Sequence, residues 1–270
     1  LQWTLFRQAL APGPQREGWE SQQLWMGHAG LTTPDHHFSA ERFARGGVGQ
    51  AGVSLDPFTA WIDDWQIRST ATSGDPLQDL NVTAKGEDFS YDLKLATTAQ
   101  PALQGDAGYS VKSQNGQASY YYSQPYFTVT GSVAINGESR RVTGRAWMDR
   151  EWSSQPLASD QEGWDWFSLH LPEGEKLMVF GLRSSNGSVF HSATWFSAEG
   201  NGTPISSDAI SMTPVSLTDI DGRKVPTAWK IVIPERDFSI TTEAVNPRSW
   251  MSTTVSYWEG PIRFSGTHDG

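Results

Sequence analysis

The feature that most constrains this chain is a period of two. Leu80-Asn81-Val82-Thr83-Ala84, Phe89-Ser90-Tyr91-Asp92-Leu93-Lys94-Leu95 and Trp229-Lys230-Ile231-Val232-Ile233 alternate apolar and polar side chains. Successive side chains of a strand point to opposite faces, so such runs build half-buried sheets; on a helix the same apolar groups would scatter around the axis. Turn dipeptides punctuate the runs: Asn115-Gly116, Asn136-Gly137, Glu173-Gly174, Asn186-Gly187 and Asp221-Gly222. Asn-Gly supplies the two positive-φ residues of a type I′ turn, whose twist suits an antiparallel pair. The pattern predicts an all-β protein, an antiparallel sandwich or barrel. Helix is scarce. The best candidate is Ser39–Arg45, with Ser39 as N-cap and Gly46-Gly47 as the stop.

With 270 residues, the chain can bury one large core or form two domains of about 130 residues each. The Ser/Pro/Asp-containing loop from Ser153 to Gln161 is the predicted boundary, giving units 1–155 and 156–270. Twenty basic residues stand against 30 acidic ones, a net charge of −10, and no basic cluster is longer than Arg140-Arg141. A phosphate-tracking surface is therefore not expected, and neither nucleic acid nor anionic lipid is an expected partner. The chain has no cysteine, which excludes a disulfide framework, a thiol nucleophile and thiolate-bound zinc. Gly-x-Ser-x-Gly, His-Glu-x-x-His, phosphate-loop and dinucleotide motifs are all missing, so no cofactor is expected. No apolar run approaches the roughly 20 residues that span a bilayer. Leu1-Gln2-Trp3-Thr4-Leu5-Phe6 already reads as the middle of a strand, so we expect a preceding segment, with any export signal, outside this sequence.

Aromatic residues and acids crowd into a few segments. One is Trp25-Met26-Gly27-His28, followed by Asp35-His36-His37-Phe38 and Glu41-Arg42-Phe43; another is Trp61-Ile62-Asp63-Asp64-Trp65, and a third is Tyr120-Tyr121-Tyr122-Ser123. The densest is Gly144-Arg145-Ala146-Trp147-Met148-Asp149-Arg150-Glu151-Trp152, with Gly163-Trp164-Asp165-Trp166-Phe167 close behind. Alternation puts Trp147, Asp149 and Glu151 on one strand face and Met148, Arg150 and Trp152 on the other; Trp164 and Trp166 share a face. Indoles and carboxylates are costly to bury without partners. Two outcomes follow. Either Arg42, Arg45, Arg145 or Arg150 ties the acids off as structural pairs, or one acid is left partly desolvated and able to act as a general acid. Asp63-Asp64 reads as a turn or ion pair, Tyr120–Tyr122 chiefly as sheet packing. His28, His36 and His37 lack a recognised metal-ligand spacing, and no metal site is assigned.

The motifs Glu-Arg-Phe-Ala-Arg-Gly, Trp-x-Asp-Asp-Trp, Tyr-Tyr-Tyr-Ser, Trp-Met-Asp-Arg-Glu-Trp-Ser-Ser, Gly-Trp-Asp-Trp-Phe-Ser-Leu and Tyr257-Trp258-Glu259-Gly260 occur in one order. In these the chain resembles the carotenoid 1,2-hydratase family, and more closely its AttH-like branch of exported bacterial proteins. The resemblance implies two consecutive lipocalin-like β-barrels and a periplasmic or secreted location. Relatives include cofactor-independent hydratases and cyclases. Two departures matter. Hydratases of the family carry Asp-His-Asn-Trp where this chain has Asp149-Arg150-Glu151-Trp152, and a Tyr-x-Asp pair where it has Phe180-Gly181-Leu182. Guanidinium does not release its proton near neutral pH, so carotenoid hydration by the family mechanism is not expected.

The expectation is an exported protein that binds a hydrophobic, isoprenoid-like small molecule or lipid. The alternatives are a cofactor-independent hydratase, lyase or cyclase using Asp149 or Glu151 as its acid, and an accessory protein of a membrane transport system. His28, Trp61, Trp65, Tyr122, Trp147, Arg150, Trp152, Trp164 and Trp166 are the candidate ligand-binding or domain-junction residues.

Overall fold

A computed structural model describes every residue except 15, 114–115, 156–159 and 269. Asn115 of the first turn dipeptide and the middle of the predicted boundary loop lie outside the described residues. The chain is all-β, its curled antiparallel sheets in keeping with lipocalin-like barrels, and its only helical pieces among the described residues are single 3₁₀ turns. None of these is long and apolar enough to cross a membrane.

Two compact units form. The first comprises Leu1–Thr98, Phe127–Ala146 and Arg248–Pro261; the second comprises Ala99–Tyr126, Trp147–Pro247 and Ile262–Gly270. Neither is one continuous stretch of chain. The long strands Ala118–Ile135 and Glu138–Trp152 are divided between them, with 127–135 and 138–146 in the first unit and 118–126 and 147–152 in the second.

The alternating runs are strands. Asp79–Lys85 and Phe89–Ala96 pair with each other in the first unit, and Arg223–Ile233 lies in the second. The turn dipeptides sit where the sequence puts them. Asn136-Gly137 joins the two long strands with φ of 51° and 84°, and Asp221-Gly222 joins Ser211–Ile220 to Arg223–Ile233 with φ of 51° and 82°. Gly131 carries a different constraint. A Cβ there would lie 2.2 Å from the carbonyl oxygen of Asp92 on the paired strand, so only glycine allows the close approach.

The helix expected over Ser39–Arg45 is not formed. His37–Arg45 is a strand, paired residue for residue with Gln23–Thr32, from Leu24 opposite Arg45 to Thr32 opposite His37. Two turns of helix are too short to be stable alone, and an extended ladder outweighs a local cap. Ser39 faces Gly30 across that ladder instead of capping anything.

In the second unit, one sheet runs Gln161–His170, Lys176–Ser184, Val189–Phe196, Gly202–Ile205, and another runs Ser211–Ile220, Arg223–Ile233, Phe238–Ala244, Ile262–Gly266. Leu177 and Val179 point into a core shared with Phe167, Ile231 and Phe238. Their neighbours Met178, Phe180 and Leu182 are also buried, but in a separate cluster with Tyr121, Trp147, Trp166 and Phe190. The strand Lys176–Ser184 is thus covered on both faces, and Met178, Phe180 and Leu182 form a second apolar wall.

Candidate functional site

That second wall is one side of a partly open cavity of about 310 Å³, lined by Tyr121, Trp164, Trp166, Phe180 and Leu182, with Lys112 and Glu151 as its charged groups and Gln117, Ser119, Ser153, Gln155 and Gln161 as further polar ones. Strand geometry explains how they meet. Trp164 pairs with Leu182 and Trp166 with Phe180, so all four side chains share a face. Simple alternation would send Gln161 to the opposite side from Trp164. The register slips between Gln161 and Gly163, and the extra residue of this bulge brings Gln161 back onto the cavity side.

Beside the cavity lies a hydrogen-bond network centred on Asp149. Its Oδ1 accepts from the Tyr121 hydroxyl at 2.8 Å, the Ser123 hydroxyl at 2.5 Å and the Trp147 indole N–H at 2.9 Å. Oδ2 has no partner among the described residues. Tyr121 in turn accepts the Trp166 indole N–H at 3.3 Å, and fully buried Gln104 donates to Ser123 at 2.8 Å. Asp149 keeps some solvent accessibility although protein encloses it on most sides. Loss of bulk water pushes its carboxyl above the ordinary 3.8, and the Glu151 charge adds to this; the donors from Ser123, Trp147 and Tyr121 oppose the rise without cancelling it. Burial, with the Asp149 charge beside it, likewise holds the Tyr121 phenol well above its usual range.

Glu151 is tied differently. Its Oε1 forms an ion pair with the Lys112 ammonium at 2.7 Å and accepts from the Ser119 hydroxyl at 2.5 Å. The Lys112 Nζ also lies 4.8 Å from the centre of the Tyr121 ring and 4.4 Å from that of Phe180. None of the four arginines expected to tie the acids off reaches Asp149 or Glu151. Arg42 stacks over Trp65 and pairs with Asp63 and Asp64, Arg45 donates to the Ser21 carbonyl, and Arg150 lies over the Trp152 ring. An arginine beside an acid in sequence lands on the other face of the strand, which is why Arg150 cannot serve its two neighbours.

The candidate residues therefore fall into three places. Trp147, Asp149, Glu151, Trp164 and Trp166 gather at the cavity and its network. Trp152, Arg150 and Tyr122 lie on the reverse face, where Tyr120 stacks on Trp152 at 5.7 Å between ring centres and Tyr122 meets it edge-on at 6.2 Å. His28, Trp61 and Trp65 belong to the first unit. His28 is fully buried, with Nε2 at 3.0 Å from Glu41 and Nδ1 at 2.9 Å from the Tyr257 hydroxyl. Trp65 is fully buried and donates to the Lys85 carbonyl, and Trp61 donates to the Gly49 carbonyl. His36 stacks on Phe38 while His37 bonds Thr32, so the three histidines do not converge. Among the described residues, no group of three or more acids and histidines could hold a metal ion.

Sequence reasoning passed over Tyr121, Ser119, Ser123 and Lys112. The first three carry a signal in hindsight: Ser119, Tyr121 and Ser123 alternate with aromatic neighbours, so one face of that strand is polar. Lys112 carries none, since it reaches the site from a loop.

The fold is that of a class, the AttH-like proteins, and the whole chain matches that family over residues 1–270. This chain belongs to the AttH-like family. Among solved structures it is similar to an AttH protein from Nitrosomonas europaea, with 29% identity, a TM-score of 0.82, and coverage of 97% of this chain and 81% of that one. It also shares its fold with kievitone hydratase from Nectria haematococca, at 17% identity and a TM-score of 0.69, covering 98% of this chain and 83% of that one. No curated protein sequence matches the chain.

Proposed function

We propose that this protein binds a small, largely apolar molecule in the cavity of its second unit. The observation that carries this reading is the cavity wall itself: two tryptophans, a tyrosine, a phenylalanine and a leucine around a space of about 310 Å³. Ligand pockets commonly measure about 300–1,000 Å³ and are mainly apolar with a few placed polar groups. A space at the lower end of that range suits one or two rings, or the end of a longer isoprenoid chain. The test is to extract the purified protein with organic solvent and identify what it carries by mass spectrometry, alongside thermal shifts with a panel of isoprenoids and aromatics. A co-purifying apolar compound, or a saturable rise in Tm, supports the reading. An empty extract with no shift across the panel contradicts it.

A second reading, in which the bound molecule is also transformed, is favoured by the geometry of Asp149. Three donors saturate Oδ1, so a proton taken up by Asp149 resides on Oδ2, and Tyr121 links the acid to the cavity wall. In such general acid catalysis the proton reaches an alkene carbon by relay through the Tyr121 hydroxyl at the cavity wall, water adds to the cation formed, and the proton lost by that water returns through Tyr121 to Asp149. Incubating the protein with citronellol in D2O tests it. Deuterium uptake or water addition that is lost in Asp149→Asn supports catalysis, and an unchanged alkene contradicts it for this substrate class.

A further inference from the structure

The Lys112–Glu151 pair is an unusual lining for an apolar cavity. An ammonium has three N–H donors and no acceptor. Lys112 forms an ion pair with Glu151 at 2.7 Å, and among the described residues its ammonium otherwise lies against the faces of Tyr121 and Phe180. Its side chain is only 17% exposed, so little water reaches the other donors. Lys176, the buried lysine elsewhere in the same unit, is a useful contrast. It also lies over an aromatic ring, that of Tyr126, but it donates to two carbonyl oxygens, of Gly174 at 2.6 Å and Glu175 at 3.2 Å. Among the described residues Lys112 has no such second oxygen.

Glu151 has the complementary deficit. The Lys112 ion pair and the Ser119 hydrogen bond both fall on Oε1, and Oε2 accepts no hydrogen bond among the described residues. The cavity wall thus presents unused ammonium donors beside an unused carboxylate oxygen, within a ring of aromatic side chains.

We infer that the Lys112–Glu151 pair is a head-group subsite, and that the cavity selects a neutral hydroxylated molecule, a phenol or an alcohol on a small apolar frame. This rests on the proposed binding function and narrows its ligand. One hydroxyl oxygen accepts from Lys112 while its own proton is donated to Oε2 of Glu151, which satisfies both groups at once. A hydrocarbon of the same shape satisfies neither and, by displacing water, leaves the remaining Lys112 donors and Oε2 of Glu151 unmet, a cost the hydroxyl avoids. A carboxylate gains the lysine donor but meets the negative charges of Glu151 and Asp149.

Three probes of matched frame separate these cases: naphthalene, 2-naphthol and 2-naphthoate, titrated against the whole protein and followed by tryptophan fluorescence and thermal shift. The expected result is that 2-naphthol binds about tenfold more tightly than naphthalene, and that 2-naphthoate binds no more tightly than naphthalene. In Lys112→Met, of similar length, naphthalene binding is retained and the 2-naphthol preference is lost. Should that variant fail to fold, Glu151→Gln keeps the shape of the pair and is expected to reduce the preference. Equal binding of naphthalene and 2-naphthol, or tightest binding of 2-naphthoate, overturns the head-group inference while leaving the cavity reading standing. If none of the three binds, the cavity reading falls and the inference with it.

Discussion

The Tyr121 hydroxyl donates to Oδ1 of Asp149 across 2.8 Å, joining the start of one long strand to the end of the other. Tyr121 lines the cavity and Asp149 lies behind it, so the acid's protonation state is felt at the ligand through one phenol. Burial raises the acid while three donors hold it down, and removing a donor shifts that balance in a known direction. In Tyr121→Phe the Asp149 carboxyl is expected to titrate at higher pH than in the parent. Side-chain carboxyl NMR with ¹³C-labelled aspartate measures this, and an unchanged or lower midpoint contradicts the described bond.

Asp149 also sets a pH dependence of stability. Its folded-state pKa is above the ordinary 3.8, so the folded protein holds this proton more tightly than the unfolded chain does. The favourable contribution is complete below the unfolded value and is lost as pH rises through the folded one. Asp149→Asn mimics the protonated acid and keeps an acceptor for the three donors. It is expected to melt above the parent at pH 7, with the gap closing as the pH falls through the folded value towards 3.8. Scanning calorimetry at pH 7 and pH 4 gives the sign directly.

Trp164 offers a clean test of the cavity wall because its side chain is 58% exposed and contributes little to the core. Trp164→Ala should leave Tm within a few degrees of the parent. It should weaken binding of a small aromatic probe by about 1–2 kcal/mol, as loss of an aromatic contact at a binding site does. Isothermal titration of parent and variant measures the difference; equal affinities would remove Trp164 from the site.

His28 makes a stability prediction for the first unit. It is fully buried between Glu41 and the Tyr257 hydroxyl, and Glu41 further accepts from the backbone and side chain of Thr254. His28→Ala removes two partners and leaves a cavity, a loss of about 2–4 kcal/mol. Urea denaturation measures it, and a loss within 0.5 kcal/mol, the range of an ordinary surface substitution, contradicts the network.

Much of this architecture is legible in the residues themselves. Period-two runs and Asn-Gly or Asp-Gly turns mark strands and hairpins because both are local properties of the backbone. The Ser39–Arg45 segment misleads for the same reason: its cap and stop are local signals, and the ladder with Gln23–Thr32 that overrides them is not local. At the site, alternation correctly separates Trp147, Asp149 and Glu151 from Arg150 and Trp152. It cannot say which strand lies opposite. Tyr121 and Ser123 come to Asp149, and Lys112 comes to Glu151, only through long-range strand pairing and a loop. The bulge at Gln161–Gly163 is equally silent in sequence, and without it Gln161 would leave the cavity.

The central claim is that a ligand occupies the space between Trp164, Trp166 and the wall of Phe180 and Leu182. The most direct measurement is ¹H–¹⁵N NMR of the tryptophan indoles, assigned by single Trp→Phe variants, during titration with 2-naphthol. The indole signals of Trp164 and Trp166 should move together and saturate with one Kd, while those of Trp65 and Trp229, buried in the two cores, stay in place. Still signals at Trp164 and Trp166, or equal movement of all four, would contradict it.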